Sequence, residues 1–490
     1  MKTQHSISRR AALKTFGVLG ATFTALHSTE THAAEAIALP TRKPTRSGDA
    51  RKTISEHVFK APLVDTHEHL IEEKQRFEGA TSSRVPCDDW ALLFSHYLNS
   101  DLLVAGMPQA DMNRFLSPKV EPAAKWKLIA PYWPAVKNTG YAQAVRIACR
   151  ELYGVDDISA ATVAKLQAGY EKTRRAGFYR RILCDLARIE SCQVNSLTGE
   201  AFKESDMPTL LMQDISIVGM FAGPSFKQYA PATGIDVKAL SDWHNVINWW
   251  FERYAKYAVA VKSQNAYSRD IDYARVPAEK AEPVFVKVLQ KEPVSGDERK
   301  LLEDHLFWYA VEQATRHALP VKLHTGYYAG QNSMPLGRLQ HNPSSATDLC
   351  RLSPDTQFVF MHIAYPYYEE MLAVAKQWAN AHVDMCWSWI ISPVAAKDYF
   401  KKHLVTAPAN KVLPFGGDYI PVEPVLGHAM IARRGISQAL FELVDEGWLT
   451  LNDALELVDM VMHGNARRIF RLAQKTEALK TAKWTRAGSS

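Results

Sequence analysis

The sequence predicts a (β/α)8 barrel, an α/β fold in which eight parallel strands each lead into a helix. Two observations support this fold class. Short apolar runs, each about the length of a buried parallel strand, alternate with amphipathic helical segments from residue 62 onward. Several runs also end in a side chain that can bind a metal ion, and barrel active sites lie at the carboxyl ends of the strands. An open doubly wound sheet is the alternative, but the chain has no G-x-G-x-x-G after a first strand and no P-loop.

The eight strands follow one another along the chain. They are predicted at 62–66, 190–195, 210–217, the run ending at Lys262, the run ending at His324, the run ending at His362, 381–387 and the run ending at Asp418. Helices are predicted from the 3.6-residue apolar period. They cover 236–257, 278–290, 297–318, 345–352, 367–380, 394–405, 424–444, 451–463 and 466–472.

A long insertion separates the first strand from the second. It covers about residues 70–182 and is mostly helical in pattern, with helices predicted at 90–98, 123–129 and 139–152. An insertion at this point of a barrel lies over its carboxyl-terminal mouth, so it is a lid or a pocket wall. The alternative is a peripheral subdomain that only stabilises the fold. The barrel domain as a whole is predicted over residues 61–475, with a C-terminal tail at 476–490.

The composition is that of an ordinary globular protein, with 47% hydrophobic and 22% charged residues in 490. The net charge of +6 is modest, and no Lys/Arg cluster contains interleaved aromatic residues. We therefore expect no nucleic-acid partner. The six cysteines show no C-x-x-C pairing. We interpret most of them as buried thiols, and a disulfide is the alternative. The sequence has no signal for the oligomeric state, and the only argument for a homo-oligomer is that homo-oligomers are common among soluble proteins.

The N-terminus has the pattern of an export signal. Ser8-Arg9-Arg10 and Leu13-Lys14 precede an apolar run from Thr15 to Leu26 and small residues near Ala33. Residues 1–36 resemble a twin-arginine (Tat) signal peptide, with a polar linker at 37–60; a Sec-type signal or a disordered tail is the alternative. The resemblance implies the Tat export machinery as a partner of the precursor and a periplasmic or secreted location. No other run is long enough to span a bilayer, so no membrane anchor is expected in the mature protein.

The first strand ends in a pair of candidate metal ligands, His67 and His69. Side chains two apart on a strand share a face, so the two imidazoles project together and Glu68 points away. Imidazole is the commonest protein ligand for zinc and similar ions. The later strands end in further groups that face the same mouth of a barrel, namely Lys262, His324, His362 and Asp418.

This order of residues resembles the amidohydrolase superfamily, specifically its amidohydrolase-related (amidohydrolase 2) branch, over about residues 60–475. The softer matches are Val-Lys-Ser-Gln-Asn-Ala-Tyr-Ser-Arg at 261–269, His-Thr-Gly at 324–326, His-Ile-Ala-Tyr-Pro at 362–366 and Asn-Ala-Arg-Arg at 465–468. The resemblance implies a divalent metal ion, zinc by default, held by His67, His69 and Asp418. His324 and His362 then bind a second ion or hold the substrate.

The same resemblance implies one of two roles for Lys262. It is either carboxylated and bridges two ions, or unmodified and paired with a substrate carboxylate or a catalytic group. Water at an open coordination position of the ion has its pKa lowered from 15.7 toward about 7. Asp418 is placed to accept the proton of that water, and His362 to polarise the scissile carbonyl.

The leading hypothesis is a metal-dependent hydrolase that cleaves an amide, related C–N or ester bond of a small polar molecule. A non-hydrolytic decarboxylase or a uronate-isomerase-like enzyme is the first alternative, and an inactive metal-binding or ligand-binding protein is the second. The candidate substrate contacts are Tyr267, Arg269, Tyr327, Arg338 and Trp387, with His428 beside them. The remaining histidines are interpreted as ordinary, and these are His57, His96, His305, His317, His341, His382, His403 and His463.

Overall fold

The strands form two parallel sheets in a computed structural model that describes residues 47–485 apart from 80, 198 and 217–225. The smaller sheet has the order β1 (Leu63–Glu68), β2 (Ile189–Val194) and β3 (Leu211–Gln213). The larger has six strands in chain order, which are β4 (Ile215–Ser216), β5 (Val261–Ser263), β6 (Val321–His324), β7 (Phe358–Met361), β8 (Ala381–Asp384) and β9 (Val412–Leu413). All neighbouring strands pair in parallel.

Backbone hydrogen bonds join the sheets at both edges. β3 and β4 are separated only by Asp214, whose N–H donates to the carbonyl of Val194 at 2.9 Å, while the N–H of Ile215 donates to Ala260 at 2.9 Å. At the other edge the N–H of Thr66 donates to Phe415 at 3.1 Å and that of His69 to Tyr419 at 3.0 Å. Counted with 211–216 as one interrupted strand, the eight strands follow the predicted order.

Helices cover the outside of the sheets and fill the insertion. The α-helices are α1 (Ser47–Lys60), α2 (Glu73–Phe77), α3 (Leu98–Val104), α4 (Gln109–Phe115), α5 (Pro122–Ile129), α6 (Trp133–Val136), α7 (Gly140–Tyr153), α8 (Val163–Thr173), α9 (Phe178–Arg180), α10 (Phe226–Tyr229), α11 (Leu240–Tyr254), α12 (Ala278–Leu289), α13 (Gly296–Arg316), α14 (Leu336–Gln340), α15 (Asn342–Leu352), α16 (Tyr368–Gln377), α17 (Ser388–Ile391), α18 (Pro393–Thr406), α19 (Glu423–Asp445), α20 (Leu451–Asp459), α21 (Asn465–Ile469) and α22 (Leu472–Lys480). Short 3-10 turns occur at 90–94, 231–233, 265–267, 362–364, 409–411 and 483–485, and π-helical turns at 181–186 and 460–464.

The insertion contains α2 to α9 and packs against α19. Its α7 approaches α19 so closely that a Cβ on Gly427 would overlap the backbone carbonyl of Ala144. A buried ion pair adds to this contact, because the Arg76 guanidinium donates to both carboxylate oxygens of Glu423 at 3.1 and 2.7 Å. The insertion therefore shares a continuous apolar core with the strands.

Two segments differ from the expected boundaries. Residues 47–60, predicted as part of a polar linker, form α1, which packs on α19 through the buried side chains of Ala50, Ile54 and Val58. Their spacing of four residues is the helical signal that the polar composition of the segment concealed. α22 also crosses the predicted domain end at residue 475. The predicted signal peptide at 1–36 lies outside the described residues.

Two further observations concern the state of the cysteines and whether any helix could cross a bilayer. All six cysteines lie in the described part of the chain and are free thiols, five of them buried and Cys184 half-buried. None of the helices in the described ranges combines the length and the apolar character needed to cross a bilayer.

Candidate metal centre

Three side-chain atoms converge where β1 meets the segment that follows β9. Nε2 of His67 and Nε2 of His69 each lie 3.2 Å from Oδ1 of Asp418, and the two nitrogens are 3.3 Å apart. All three residues are buried. Bonds of about 2.0–2.1 Å to a tetrahedral ion separate its donor atoms by roughly 3.3 Å. The triangle therefore has the dimensions of three ligands of one metal ion.

The orientation of His69 determines which of its nitrogens faces this triangle. Its Nδ1 lies 2.7 Å from the carbonyl oxygen of Asn195, which can only accept, so Nδ1 carries the proton. Nε2 is then the nitrogen that faces Oδ1 of Asp418 and Nε2 of His67. A cation held between these atoms would be bound by both imidazoles and by the carboxylate. The donor set thus fits a divalent ion.

The pKa shifts agree with this picture. Burial lowers the pKa of His67 well below its usual value, so its imidazole is neutral and available as a ligand. Burial would raise the pKa of Asp418, but the neighbouring His67 and His69 imidazoles outweigh it and bring the pKa well below the ordinary aspartate value. Asp418 is therefore a carboxylate, the form that binds a metal.

His362 and His324 lie beside the triad. His362, Cys386 and Asp418 form a second group whose ligand atoms lie within 4.8 Å of one another. Nδ1 of His362 donates to the carbonyl of Cys386 at 2.9 Å, and burial lowers the pKa of His362 to about 4. The ring of His324 lies 4.4 Å from that of His362, and its Nε2 donates to the carbonyl of Tyr327 at 2.9 Å. Each of these imidazoles therefore has one nitrogen fixed by a backbone carbonyl and the other left as an acceptor.

Lys262 lies at the same cavity with an unpartnered ammonium group. Its side chain is buried, lines the cavity with His67, His324 and His362, and has no hydrogen-bond partner for Nζ among the described residues. Burial lowers its pKa to about 8. Lys322, its register partner on β6, is buried too but pairs with Asp214 at 2.9 Å. The contrast indicates that the Lys262 position is prepared for a group absent from the protein itself.

The backbone around the centre is held in a conformation that side chains seldom adopt. His362, Trp387 and Asp418 have φ values of 64°, 65° and 64°, in the left-handed region. Such positions cost of order 1–3 kcal/mol each and cluster at functional sites. A Cβ on Gly417 would overlap the carboxylate of Glu68, so only glycine lets the segment before Asp418 approach β1.

Glu68 and Asp65 attach this segment to β1. Oδ1 of Asp65 accepts from the N–H of Gly417 at 3.1 Å, and Oε2 of Glu68 accepts from the N–H of Tyr419 at 2.6 Å. Burial raises the pKa of Asp65 to about 6 and that of Glu68 well above its usual value. Glu68 does point away from the metal ligands, but into the protein rather than toward solvent.

Two predicted substrate contacts are not at the cavity. Arg269 forms ion pairs with Glu303 at 3.2 Å and Asp304 at 2.6 Å, which are residues of α13. Arg338 donates to the Tyr328 hydroxyl at 3.1 Å and to the carbonyl of Tyr267 at 3.0 Å. Both guanidinium groups already have protein acceptors, and neither is among the residues that line the cavity.

The other predicted contacts surround the imidazoles. Tyr267 lines the cavity with its ring 4.5 Å from that of His324. Trp387 is fully buried and meets the ring of His362 edge-on at 5.5 Å, so it supports that histidine from behind. Tyr327 packs 5.7 Å from Trp387. His428 lies behind the segment before Asp418, with Nδ1 3.2 Å from the carbonyl of Gly417.

The insertion contributes cavity residues that the sequence analysis missed. Arg84, His96 and Tyr97 line the cavity, together with Gln264, whose Nε2 lies 3.3 Å from Nε2 of His69. Tyr97 donates its hydroxyl to the backbone carbonyl of Asp418. His96, interpreted from the sequence as ordinary, has its pKa lowered to about 3 by burial. No local motif marks Arg84, His96 or Tyr97, and only the packing of the insertion brings them to the strand ends. Gln264 directly follows β5 and lies in the stretch 261–269 noted above.

Comparison with known proteins agrees with the geometry. Residues 252–472 match the amidohydrolase family model. That stretch contains Lys262, His324, His362 and Asp418. The chain is also 24% identical over 165 residues to the protein fluG of Emericella nidulans, an alignment that covers 33% of this chain and 18% of that protein.

Solved structures share the fold. Uronate isomerase from Thermotoga maritima superposes with a TM-score of 0.69 at 14% identity, over 86% of this chain and 97% of the other. Glucuronate isomerase from Caulobacter crescentus gives 0.69 at 14% identity, over 88% and 95%. A Lactobacillus casei protein assigned as a metal-dependent hydrolase gives 0.60 at 15% identity, over 86% and 98%. These neighbours show a parallel-sheet α/β fold of the TIM-barrel type.

Proposed function

We propose that the chain is a member of the amidohydrolase-related branch and a metal-dependent hydrolase of a C–N or ester bond in a small molecule. The observation that carries this proposal is the triangle of possible ligand atoms formed by His67, His69 and Asp418 inside a cavity. The amidohydrolase match over residues 252–472 supports it. The backbone hydrogen bonds at both sheet edges support a closed eight-stranded barrel, with the insertion as one wall of its mouth.

The residues divide into two sets. His67, His69 and Asp418 would hold one divalent ion, with zinc the first candidate because nitrogen and carboxylate donors suit it. His324, His362 and a carboxylated Lys262 would hold a second. A divalent ion supplies Lewis-acid chemistry there, since it polarises a substrate oxygen and makes water more acidic.

Asp418 is the proposed general base. Oδ1 faces the two imidazoles, which leaves Oδ2 to accept a proton from the attacking water and to deliver it to the leaving nitrogen or oxygen. The hydrogen bond from Tyr97 to its backbone carbonyl and the left-handed φ of 64° hold the carboxylate in place. His362, neutral because of burial, would stabilise the developing oxyanion.

The second candidate is a uronate-isomerase-like or decarboxylating enzyme. Two of the structural neighbours are uronate isomerases, and they superpose with a higher TM-score than the hydrolase neighbour. An unmodified Lys262 would then pair with the carboxylate of a sugar acid or an aromatic acid. In this reaction water is not incorporated into the product.

The Tat signal peptide over residues 1–36 and a periplasmic location belong to the same proposal. The Ser8-Arg9-Arg10 motif supports them. A change of Arg9 and Arg10 to Lys is expected to leave the precursor in the cytoplasm. Continued export would point to a Sec route.

The deciding experiment measures metal content and the fate of water on the same preparation. Protein purified without chelator is analysed for metal per chain and then assayed in 18O-labelled water with amide, ester and uronate panels. Turnover with 18O in the product supports hydrolysis, whereas turnover without it favours the isomerase or decarboxylase. Bound metal without turnover on any panel would favour a binding protein.

A further inference from the structure

A second cavity adjoins the metal centre, and its walls are mostly apolar. Its apolar lining consists of Leu70, Ile71, Val85, Leu197 and Ile420. Val85 belongs to the insertion, and the others follow the carboxyl ends of β1, β2 and β9. The side cavity therefore lies where the insertion meets the mouth of the strands.

The side cavity and the metal cavity adjoin each other. His69, Arg84 and Leu197 line both of them. These shared residues place the apolar space directly beside His69.

The charges around both cavities are mainly positive. Arg84, Lys203 and Lys262 line them, and Asp418 is the only carboxylate among the described lining residues. Arg84 forms no ion pair with any residue that the structure describes. Burial is the main cause of the lowered pKa of the neighbouring His96, and electrostatic interactions with His69 and Arg84 make smaller contributions in the same direction. A bound divalent ion would add to the positive charge.

We infer that the substrate is an amphipathic carboxylate. Its reacting bond lies at the metal ligands, its carboxylate pairs with Arg84 at the junction of the cavities, and its alkyl or aryl group fills the side cavity. The inference rests on the proposed metal centre and narrows its substrate class. It disfavours sugar acids, because a chain hydroxylated at every carbon gains little from Leu70, Ile71 and Val85.

Arg84 is suited to this role by chemistry and position. A guanidinium binds a carboxylate through two parallel hydrogen bonds, and the Arg84 group is not consumed by a protein acceptor. The Arg84 side chain is exposed, and pairing with a substrate carboxylate would break no ion pair among the described residues. By contrast, Arg269 and Arg338 are occupied by protein acceptors.

Calorimetric titration with non-reacting probes tests the inference. The metal-loaded protein is titrated with acetate, butanoate, hexanoate and 3-phenylpropanoate, and with 3-phenylpropanol and glucuronate as comparisons. Affinity is expected to rise about fourfold per methylene, the equivalent of about 0.8 kcal/mol per buried CH2. 3-Phenylpropanoate should bind more tightly than both 3-phenylpropanol and glucuronate.

Three variants separate the contributions. R84Q should reduce the preference for the acid over the alcohol about tenfold, and V85T should flatten the chain-length dependence while keeping the acid preference. R351Q, a change at an exposed pair with Asp348 away from the cavities, should change neither. An unchanged acid preference in R84Q, no chain-length dependence, or tighter binding of glucuronate would each overturn the inference.

The same titrations on chelator-treated protein distinguish the two proposals. Chain-length dependence that persists without metal supports the side cavity even if turnover is never found. Metal binding and turnover with no chain-length dependence would leave the hydrolase proposal standing and refute the amphipathic substrate.

Discussion

Nδ1 of His69 donates a hydrogen bond of 2.7 Å to the backbone carbonyl of Asn195, the residue that follows β2. The contact joins the ends of two adjacent strands and fixes which imidazole nitrogen faces Asp418. A backbone carbonyl does not titrate and cannot be removed by substitution. This contact leaves Nε2 of His69 directed at the atoms with which it would share a metal ion.

Replacing His67 or His69 with Ala should abolish metal binding. Each change removes one of three buried donors, and the loss should be at least 100-fold in affinity. Elemental analysis of protein equilibrated with limiting zinc measures it. His57→Gln, at an exposed histidine paired with Asp459, is the matched control and should retain full metal content. Full occupancy in the His69 variant would refute the assigned site.

Asp418→Asn should eliminate turnover while the protein stays folded. The amide keeps the shape of the side chain but neither accepts a proton as a base nor carries the charge that a divalent ion needs. Activity should fall by at least 1,000-fold, measured as kcat, with an unchanged circular dichroism spectrum. Near-normal kcat would remove Asp418 from the mechanism.

Tyr97→Phe should slow catalysis without preventing substrate binding. The variant loses the hydrogen bond to the Asp418 carbonyl but keeps the ring that stacks on Trp387 at 4.6 Å. We expect kcat to fall about tenfold with KM within twofold, and the free energy of unfolding to fall by about 1 kcal/mol. A change in stability with no change in kcat would make Tyr97 purely structural.

Arg76→Met should destabilise the protein by about 3–5 kcal/mol, because it leaves the buried Glu423 carboxylate without its partner. Denaturant unfolding measures the loss. A double change with Glu423→Gln should recover part of it. Arg114→Met, at the exposed pair with Asp111, should cost less than about 1 kcal/mol. Equal effects at the two sites would contradict a buried pair that anchors the insertion.

His403→Gln should make the protein less sensitive to acid. Burial lowers the pKa of His403 to about 4, against about 6.5 in an unfolded chain. Between these values the unfolded state takes up a proton that the folded state does not, so stability falls as pH falls. Between pH 7.5 and pH 4 the free energy of unfolding should fall in both proteins, and the fall should be up to about 3 kcal/mol smaller in the variant than in the native chain. Parallel stability curves from pH 4 to 7.5 would show that His403 does not titrate on unfolding.

The local residue pattern was sufficient to predict the strands and the polar side chains that the structure brings together at their ends. Buried parallel strands are short and continuously apolar, so a polar residue at the end of such a run stands out, as His324 and His362 do. The two-residue repeat of a strand placed His67 and His69 together, and the structure finds their nitrogens 3.3 Å apart. These are short-range effects, and they can be read without knowledge of the rest of the chain.

Tertiary packing decided which long side chains reach the cavity. Arg269 follows the Lys262 strand closely and has the chemistry of a substrate ligand, but its flexible side chain turns toward the carboxylates of α13. Arg84 and His96 lie in an insertion whose sequence does not indicate where their side chains point, and only the packing of the insertion brings them to the cavity. Sequence alone determined the strand order and the strand-end donors because backbone geometry fixes them within a few residues. The surroundings of those donors depend on contacts between residues far apart in the chain, and only the folded structure sets them.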